Sequence, residues 1–351
     1  MLRADPPLES CRPVLPWSTL TGSPPFKVAS LQFNVERRPG KTAAASAWAR
    51  LTGMRFASFL LFFGLSLAAH AQGDEFGVRY WYSEGKTTRS HNAQRVNPTV
   101  GNPTSVLTWT ELEAHALELH GRKNWGRGGF VKGNAGFGDI TSGSLRDEDF
   151  NAGQVKFSDT TTTIKGDSLT YVSVDVGTDL WRWRNGKAGL FVGYQFWREQ
   201  VDGFGVVQTV PPPVRVTVPD SRLVIGNEVT WQSLRVGFAG QWNLNAATRI
   251  TLDAALVPYA HGRDQDSHFL RQSPNDLGPV PNIHSSGNGY GAQLDAELRY
   301  LVLRDWEIGA GLRYWWLRAQ DGEHQQAGLD LQLLELESQR FGLTLSVTHR
   351  W

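Results

Sequence analysis

The sequence holds one cysteine, Cys11, among its 351 residues, and no apolar run of 18 or more. The first scarcity leaves everything beyond residue 11 without disulfides or thiol chemistry. The second excludes a transmembrane helix. Neither sign of charge dominates. Residues 1–71 hold eight Lys/Arg and three Asp/Glu, which leaves 27 basic and 31 acidic residues from residue 72 onward, a formal charge of −4. That balance gives no sign of nucleic acid as a partner. There is no HExxH, no cysteine cluster, no nucleotide-binding glycine loop and no Ser-His-Asp order, so no metal or nucleotide site is expected.

The best apolar run, residues 56–67, follows Met54 and Arg55 and ends in Ala69, His70 and Ala71. Basic start, short apolar middle and small-x-small end describe a secretory signal peptide, residues 54–71, with cleavage before Gln72. Residues 1–53 are rich in Pro, Arg and Ala, show no sustained period, and read as an extension from a wrongly chosen start codon, disordered if made. The exported part is then one domain, residues 72–351.

From Gln72 onward the chain is a series of long segments of period two. Val172, Val174, Val176 and Leu180 alternate with Tyr171, Ser173, Asp175 and Asp179; Ala292, Leu294, Ala296 and Leu298 alternate with Gln293, Asp295, Glu297 and Arg299. One face is apolar and the other charged. In a soluble sandwich the charged face is the outside; in an outer-membrane barrel the apolar face meets lipid and the polar face lines the lumen. Three features favour the barrel. The segments run to about 10–15 residues, longer than soluble strands. Trp81, Trp109, Trp181, Trp197, Trp306 and Trp316 lie toward strand ends, as interfacial girdles require. Phe341, Leu343, Leu345, Val347, His349 and Trp351 alternate up to a terminal aromatic, resembling the signal read by the outer-membrane assembly machinery.

The expected fold is all-β: a ten-stranded antiparallel transmembrane β-barrel with short periplasmic turns and long extracellular loops. Strands are expected at 75–88, 104–121, 128–140, 168–183, 187–203, 225–242, 247–262, 287–303, 306–319 and 333–351. Short turns fall at 122–127, 184–187, 243–246 and 304–305, and long loops at 89–103, 141–167, 204–224, 263–286 and 320–332. With the N-terminus in the periplasm, the third and seventh strands run outward and deliver their loops to the extracellular mouth.

Those two loops carry the chemistry. Residues 259–270 read YAHGRDQDSHFL, with Asp264, Asp266 and His268 at every second position and so on one face of an extended chain. A carboxylate two residues before an imidazole can hold the ring and favour its charged form. Asp147 and Asp149 form a second same-face pair. Strict alternation from Ile250 turns the 264/266/268 face toward lipid, whereas Pro258 and Gly262 leave room for a bulge that resets the parity.

These stretches resemble the omptins, outer-membrane endoproteases of Gram-negative bacteria, and related ten-stranded adhesin and peptidase barrels. The likeness covers most of residues 75–351. It rests on Ser105, Leu107 and Trp109; on Asp147, Asp149 and Phe150; on Gly193, Tyr194 and Gln195; and on Asp264, Asp266, His268 and Phe269. The resemblance implies a cell-surface endopeptidase with catalytic Asp147, Asp149, Asp266 and His268, acting by direct attack of water on extracellular peptides or proteins. His268 is then the general base supported by Asp266, and the Asp147–Asp149 pair positions the water, one carboxyl holding a proton. Asp264 matches one acid of a substrate-binding pocket for basic residues; the second acid is replaced by Arg89, which argues against Arg or Lys preference. Tyr194 and Arg198 match a lipopolysaccharide-binding cluster whose acid is replaced by Phe196 and whose further basic position by Thr230. The resemblance implies no cofactor beyond lipopolysaccharide as a required lipid. The alternative is a non-proteolytic barrel acting as an adhesin or structural protein, for which Arg89 and the Pro-rich stretch 206–218 speak; a narrow pore comes last, since ten strands leave a lumen that side chains fill.

Overall fold

The computed structural model describes residues 73–210 and 217–351. The readings for residues 1–53 and 54–71 lie outside the described residues. Eleven strands follow one another: β1 (Glu75–Asn92), β2 (Val100–Trp125), β3 (Gly129–Asn151), β4 (Val155–Ile164), β5 (Asp167–Trp183), β6 (Gly186–Val210), β7 (Thr217–Asn243), β8 (Thr248–His268), β9 (Ile283–Leu303), β10 (Trp306–Gln326) and β11 (Leu329–Arg350). All neighbours are antiparallel, and β1 pairs with both β2 and β11, closing the sheet on itself.

The ring has ten places. The lower half of β3 pairs with β5 and its upper half with β4, while β6 pairs with β5 below and β4 above. β4 and β5 are thus one descending strand, interrupted at Lys165 and Gly166, where Gly166 adopts φ +117°. Closure leaves no edge whose backbone groups lipid would have to satisfy.

The alternation sorts by environment as the polar-inside pattern requires. On β5, Val174, Val176 and Leu180 are exposed on the outer face and Ser173, Asp175 and Asp179 are buried inside. On β11, Phe341, Leu343, Leu345 and Val347 face out between the buried Arg340, Thr344, Ser346 and Thr348. Exposed Tyr82, Tyr194, Tyr259, Tyr290 and Tyr314 mark the upper edge of this apolar band, and Trp125, Trp181, Trp183 and Trp306 its lower edge. That is the surface a bilayer covers.

Inside the band the lumen is filled. Arg313 bonds Glu118 at 2.6 Å, Arg79 joins Glu118 at 2.7 Å to Glu297 at 3.0 Å, and Glu75 holds Arg249 at 2.7 Å and Arg299 at 2.9 Å. A cavity of about 90 Å³ remains among these charges. Such buried pairs compensate each other's desolvation, and deleting one partner costs about 3–5 kcal/mol. Above them Trp81, Tyr171, Trp197 and Trp315 close the bore, with Trp315 ring centroids 5.0, 5.0 and 5.7 Å from those of Trp81, Tyr171 and Trp197. Trp81, Trp109 and Trp197 are therefore interior side chains, contrary to the girdle expectation; Trp181 and Trp306 are exposed as expected, and Trp316 is half-buried.

The four short turns are present, at 126–128, 184–185, 244–247 and 304–305. The long loops are a correction. Among the described residues only 93–99, 152–154, 269–282 and 327–328 connect strands at the opposite end; most of the expected loop sequence is strand. β1, β8 and β10 continue nine to twelve residues past the upper tyrosines, about 30–40 Å along the strand. Up there the outer face no longer meets lipid and turns polar, as with Arg146 and Glu148 beside inward Leu145, so the apolar-outside signature disappears while pairing persists.

Candidate active site

The parity of β8 changes just above the apolar band. Tyr259 pairs with Leu234 and Leu256 with Val236, so three residues of β8 advance against two of β7. The β9 register shifts at the same place, between Val257 and Ala260. Pro258, without an N–H to donate, sits in this bulge. Below it Leu256 faces out; above it Ala260, Gly262, Asp264 and Asp266 face in. The lipid-facing reading of the 264/266/268 face is thus overturned. Gly262 is required there, because a Cβ would come within 2.7 Å of the Trp231 ring.

Asp147 and Asp149 stand inward on the upper part of β3, not in a loop, and Asp264, Asp266 and His268 end β8. β3 and β8 are four places apart one way around the ring and six the other, so they face each other across the mouth. His268 acts electrostatically on both Asp147 and Asp149. Ser105 on β2 donates to Asp147 at 3.3 Å. The His268 backbone N–H donates to the Asn282 side chain at 3.0 Å, fixing the end of β8 to the 269–282 connection.

Asp264 and Asp266 are wholly buried. Arg89 on β1, buried as deeply, bonds Asp264 through one terminal nitrogen and Asp266 through the other. The Asn227 side-chain amide on β7 donates to Oδ1 of both carboxylates at 2.6 Å. Nε2 of His268 lies 3.7 Å from Oδ2 of Asp266. Against the burial that would raise it, Arg89, His268 and Asn227 hold the Asp266 carboxyl well below the usual range. Burial, then the neighbouring Asp149, push Asp147 up to about 7, while His268, Arg89 and Ser105 act the other way. Burial raises Asp149 too. One side of the mouth therefore carries a carboxylate fixed as an anion beside an imidazole, and the other a carboxyl pair able to hold a proton near neutrality.

Sequence reasoning assigned no role to Asn227, His91 or His324. Asn227 is the register partner of Asp266, a relation visible only once pairing is known. His91 and His324 stack with centroids 4.1 Å apart and rings 7° from parallel, and Ser285 Oγ lies 2.9 Å from His324 Nδ1. Burial, then Arg89, lower His324 to about 3, so this pair is neutral packing beside the charged cluster. His261 points outward to Asn288 and does not converge with His268.

On the outer face, Tyr194 donates to Gln232 at 3.1 Å, and Arg198 pairs with Glu228 of β7 at 2.8 Å. Arg198 stands opposite Thr230, and Thr230 opposite Arg263 on β8. Two arginines flank Thr230 on one rung, just above Tyr194 and Tyr259. Arg263 makes no ion pair with the described residues and donates its Nε to His261 at 3.1 Å.

No family model matches the sequence, and no curated protein does. Solved structures do. The outer membrane protease OmpT of Escherichia coli superposes with TM-score 0.66 at 13% identity, over 81% of this chain and 99% of that one. The translocator domain of the autotransporter NalP of Neisseria meningitidis gives 0.35 at 9% identity, over 88% and 98%. The attachment invasion locus protein Ail of Yersinia pestis gives 0.26 at 9% identity, over 79% and 99%. At these identities the likeness is one of fold, and the fold is that of an outer-membrane β-barrel, the omptin barrel among them.

Proposed function

We propose that this chain is an outer-membrane endopeptidase that hydrolyses peptides or proteins at the extracellular mouth of its barrel. The observation that carries the reading is the meeting, above a plugged lumen, of the Asp147–Asp149 pair from β3 and the Asp266–His268 pair from β8 within electrostatic reach. A substrate backbone enters between them. His268 takes a proton from a water, whose oxygen adds to the peptide carbonyl carbon; the protonated carboxyl of the Asp147–Asp149 pair donates to the resulting oxyanion. Collapse breaks the C–N bond, and the imidazolium returns its proton to the leaving amine. Asp266, held as an anion, stabilises that imidazolium.

The same reading takes the protein to the bacterial outer membrane through its signal peptide, folds it there through the assembly machinery that reads the C-terminal strand, and seats it among lipopolysaccharide, with Tyr194 and Arg198 at headgroup height. The test is to refold residues 72–351 in detergent with lipopolysaccharide and screen a mixed peptide library by mass spectrometry, beside His268→Ala. Cleavage by the parent alone supports the reading; a folded parent that cuts nothing sinks it. The second reading, a non-proteolytic adhesin, is favoured by one observation: Arg89 already occupies the Asp264–Asp266 pair, while His268 stands 3.7 Å from Asp266. It expects binding to a surface or matrix to survive the loss of His268.

A further inference from the structure

We infer that Arg89 is a resident cation filling the acid pocket beside His268, and that the enzyme therefore cleaves peptide bonds flanked by an uncharged side chain. This rests on the endopeptidase reading. Three observations carry it.

Three of the four carboxylate oxygens of Asp264 and Asp266 accept hydrogen bonds, and the fourth, Oδ2 of Asp266, is in ion-pair contact with Arg89. Arg89 takes Oδ2 of each, and the Asn227 amide takes Oδ1 of each. A substrate ammonium or guanidinium reaching for these acids would meet the Arg89 charge first. The second observation is reach. Arg89 leaves β1, four places from β8 around the ring, so its side chain crosses the interior of the mouth to find these acids. Its rung neighbours Leu336 and Leu107 are buried and apolar, and its guanidinium lies 5.7 Å from the Trp109 ring. A basic side chain is thus already built into the floor of the mouth, at a depth where it is 1% exposed. The third is balance. One guanidinium against two carboxylates leaves a single negative charge, which the imidazolium formed during catalysis offsets. An acidic substrate side chain gains nothing there either, and the apolar surroundings suit an uncharged one.

If Arg89 fills a guanidinium-shaped pocket, removing it exposes that pocket. Arg89→Ala should bind agmatine saturably, read as a concentration-dependent rise in thermal stability, while the parent at equal ionic strength shows no shift. On matched peptides differing only beside the scissile bond, the parent should cut uncharged residues at least tenfold faster than Arg or Lys. Arg89→Ala should narrow or reverse that ratio. Should Arg89→Ala not fold, Arg89→Gln, close in size and neutral, replaces it in the peptide comparison, with the same narrowing expected. A parent that cuts beside Arg or Lys as readily as beside Ala or Leu overturns the preference. A folded Arg89→Ala that binds no agmatine overturns the pocket. If neither protein cuts any peptide, the endopeptidase reading and the preference fall together, and the agmatine result alone decides whether the pocket exists.

Discussion

The guanidinium of Arg89 and the imidazole of His268 approach the same atom, Oδ2 of Asp266, one in a buried ion pair and the other at 3.7 Å. The two side chains reach it from opposite sides of the mouth, β1 and the end of β8. Against its burial, Arg89, His268 and Asn227 together hold Asp266 in the ionised form. A base supported by a permanently ionised carboxylate can cycle through its imidazolium without a second proton moving.

The Arg89 cluster should show its cost when one member is removed. Arg89→Ala leaves two buried carboxylates facing each other and should destabilise the folded barrel by about 3–5 kcal/mol. Adding Asp264→Asn should restore part of that loss, because it removes the uncompensated charge. Urea unfolding of the parent, both single variants and the double variant measures the coupling. Strictly additive effects would show that Arg89 and Asp264 do not act as one cluster.

The proton on Asp147 makes stability depend on pH in a stated direction. Its folded-state pKa, about 7, lies above the ordinary aspartate value of 3.8. Between those values the folded protein binds a proton that the unfolded chain does not, so stability falls as pH rises through this window and levels off above about 7. Thermal unfolding between pH 4 and 8 should show that slope in the parent and a shallower one in Asp147→Asn. Equal slopes would contradict the half-buried, proton-sharing pair.

The bulge at Pro258 predicts a change of face within three residues. Residues 72–351 contain no cysteine, so single replacements report cleanly. Cysteine at Leu256 or Tyr259 should react with a membrane-soluble maleimide, while cysteine at Val257 or Ala260 should be protected. Unbroken alternation, with 260 labelled and 259 protected, would place Asp264 and Asp266 on the outside.

The two arginines flanking Thr230 should differ toward lipid phosphate. Arg198 is offset by Glu228, whereas Arg263 makes no ion pair with the described residues. Binding to lipopolysaccharide should weaken more in Arg263→Ala than in Arg198→Ala, strengthen in Glu228→Gln, and decline with salt. Equal, salt-insensitive binding in all three would show that these charges merely extend toward water.

Much of the fold was legible because lipid and lumen impose opposite chemistry on alternate residues: Val174 against Asp175 and Leu298 against Arg299 reveal both strand and face. The signal ended where lipid ended. Above the tyrosines both faces are polar, as at Arg146 and Asp147, and strand there read as loop. Closeness to a strand end misled for Trp81 and Trp197, whereas parity with the polar Arg79 and Glu199 points both inward. The four acids and the histidine of the mouth were legible from spacing. Their locking by Arg89 and Asn227 was not, because β1 and β7 meet β8 only through ring closure and register.

The most direct test of the account is a rate cycle across the mouth, on the best peptide from the library, with the parent, Asp147→Asn, His268→Ala and the double variant. If the β3 pair and the β8 pair act on one water, each single change should lower kcat/KM by about 10²–10⁴-fold. The double change should then be little worse than the poorer single one. Folded single variants that keep the parent's rate, or losses that multiply in the double variant, would contradict a shared site.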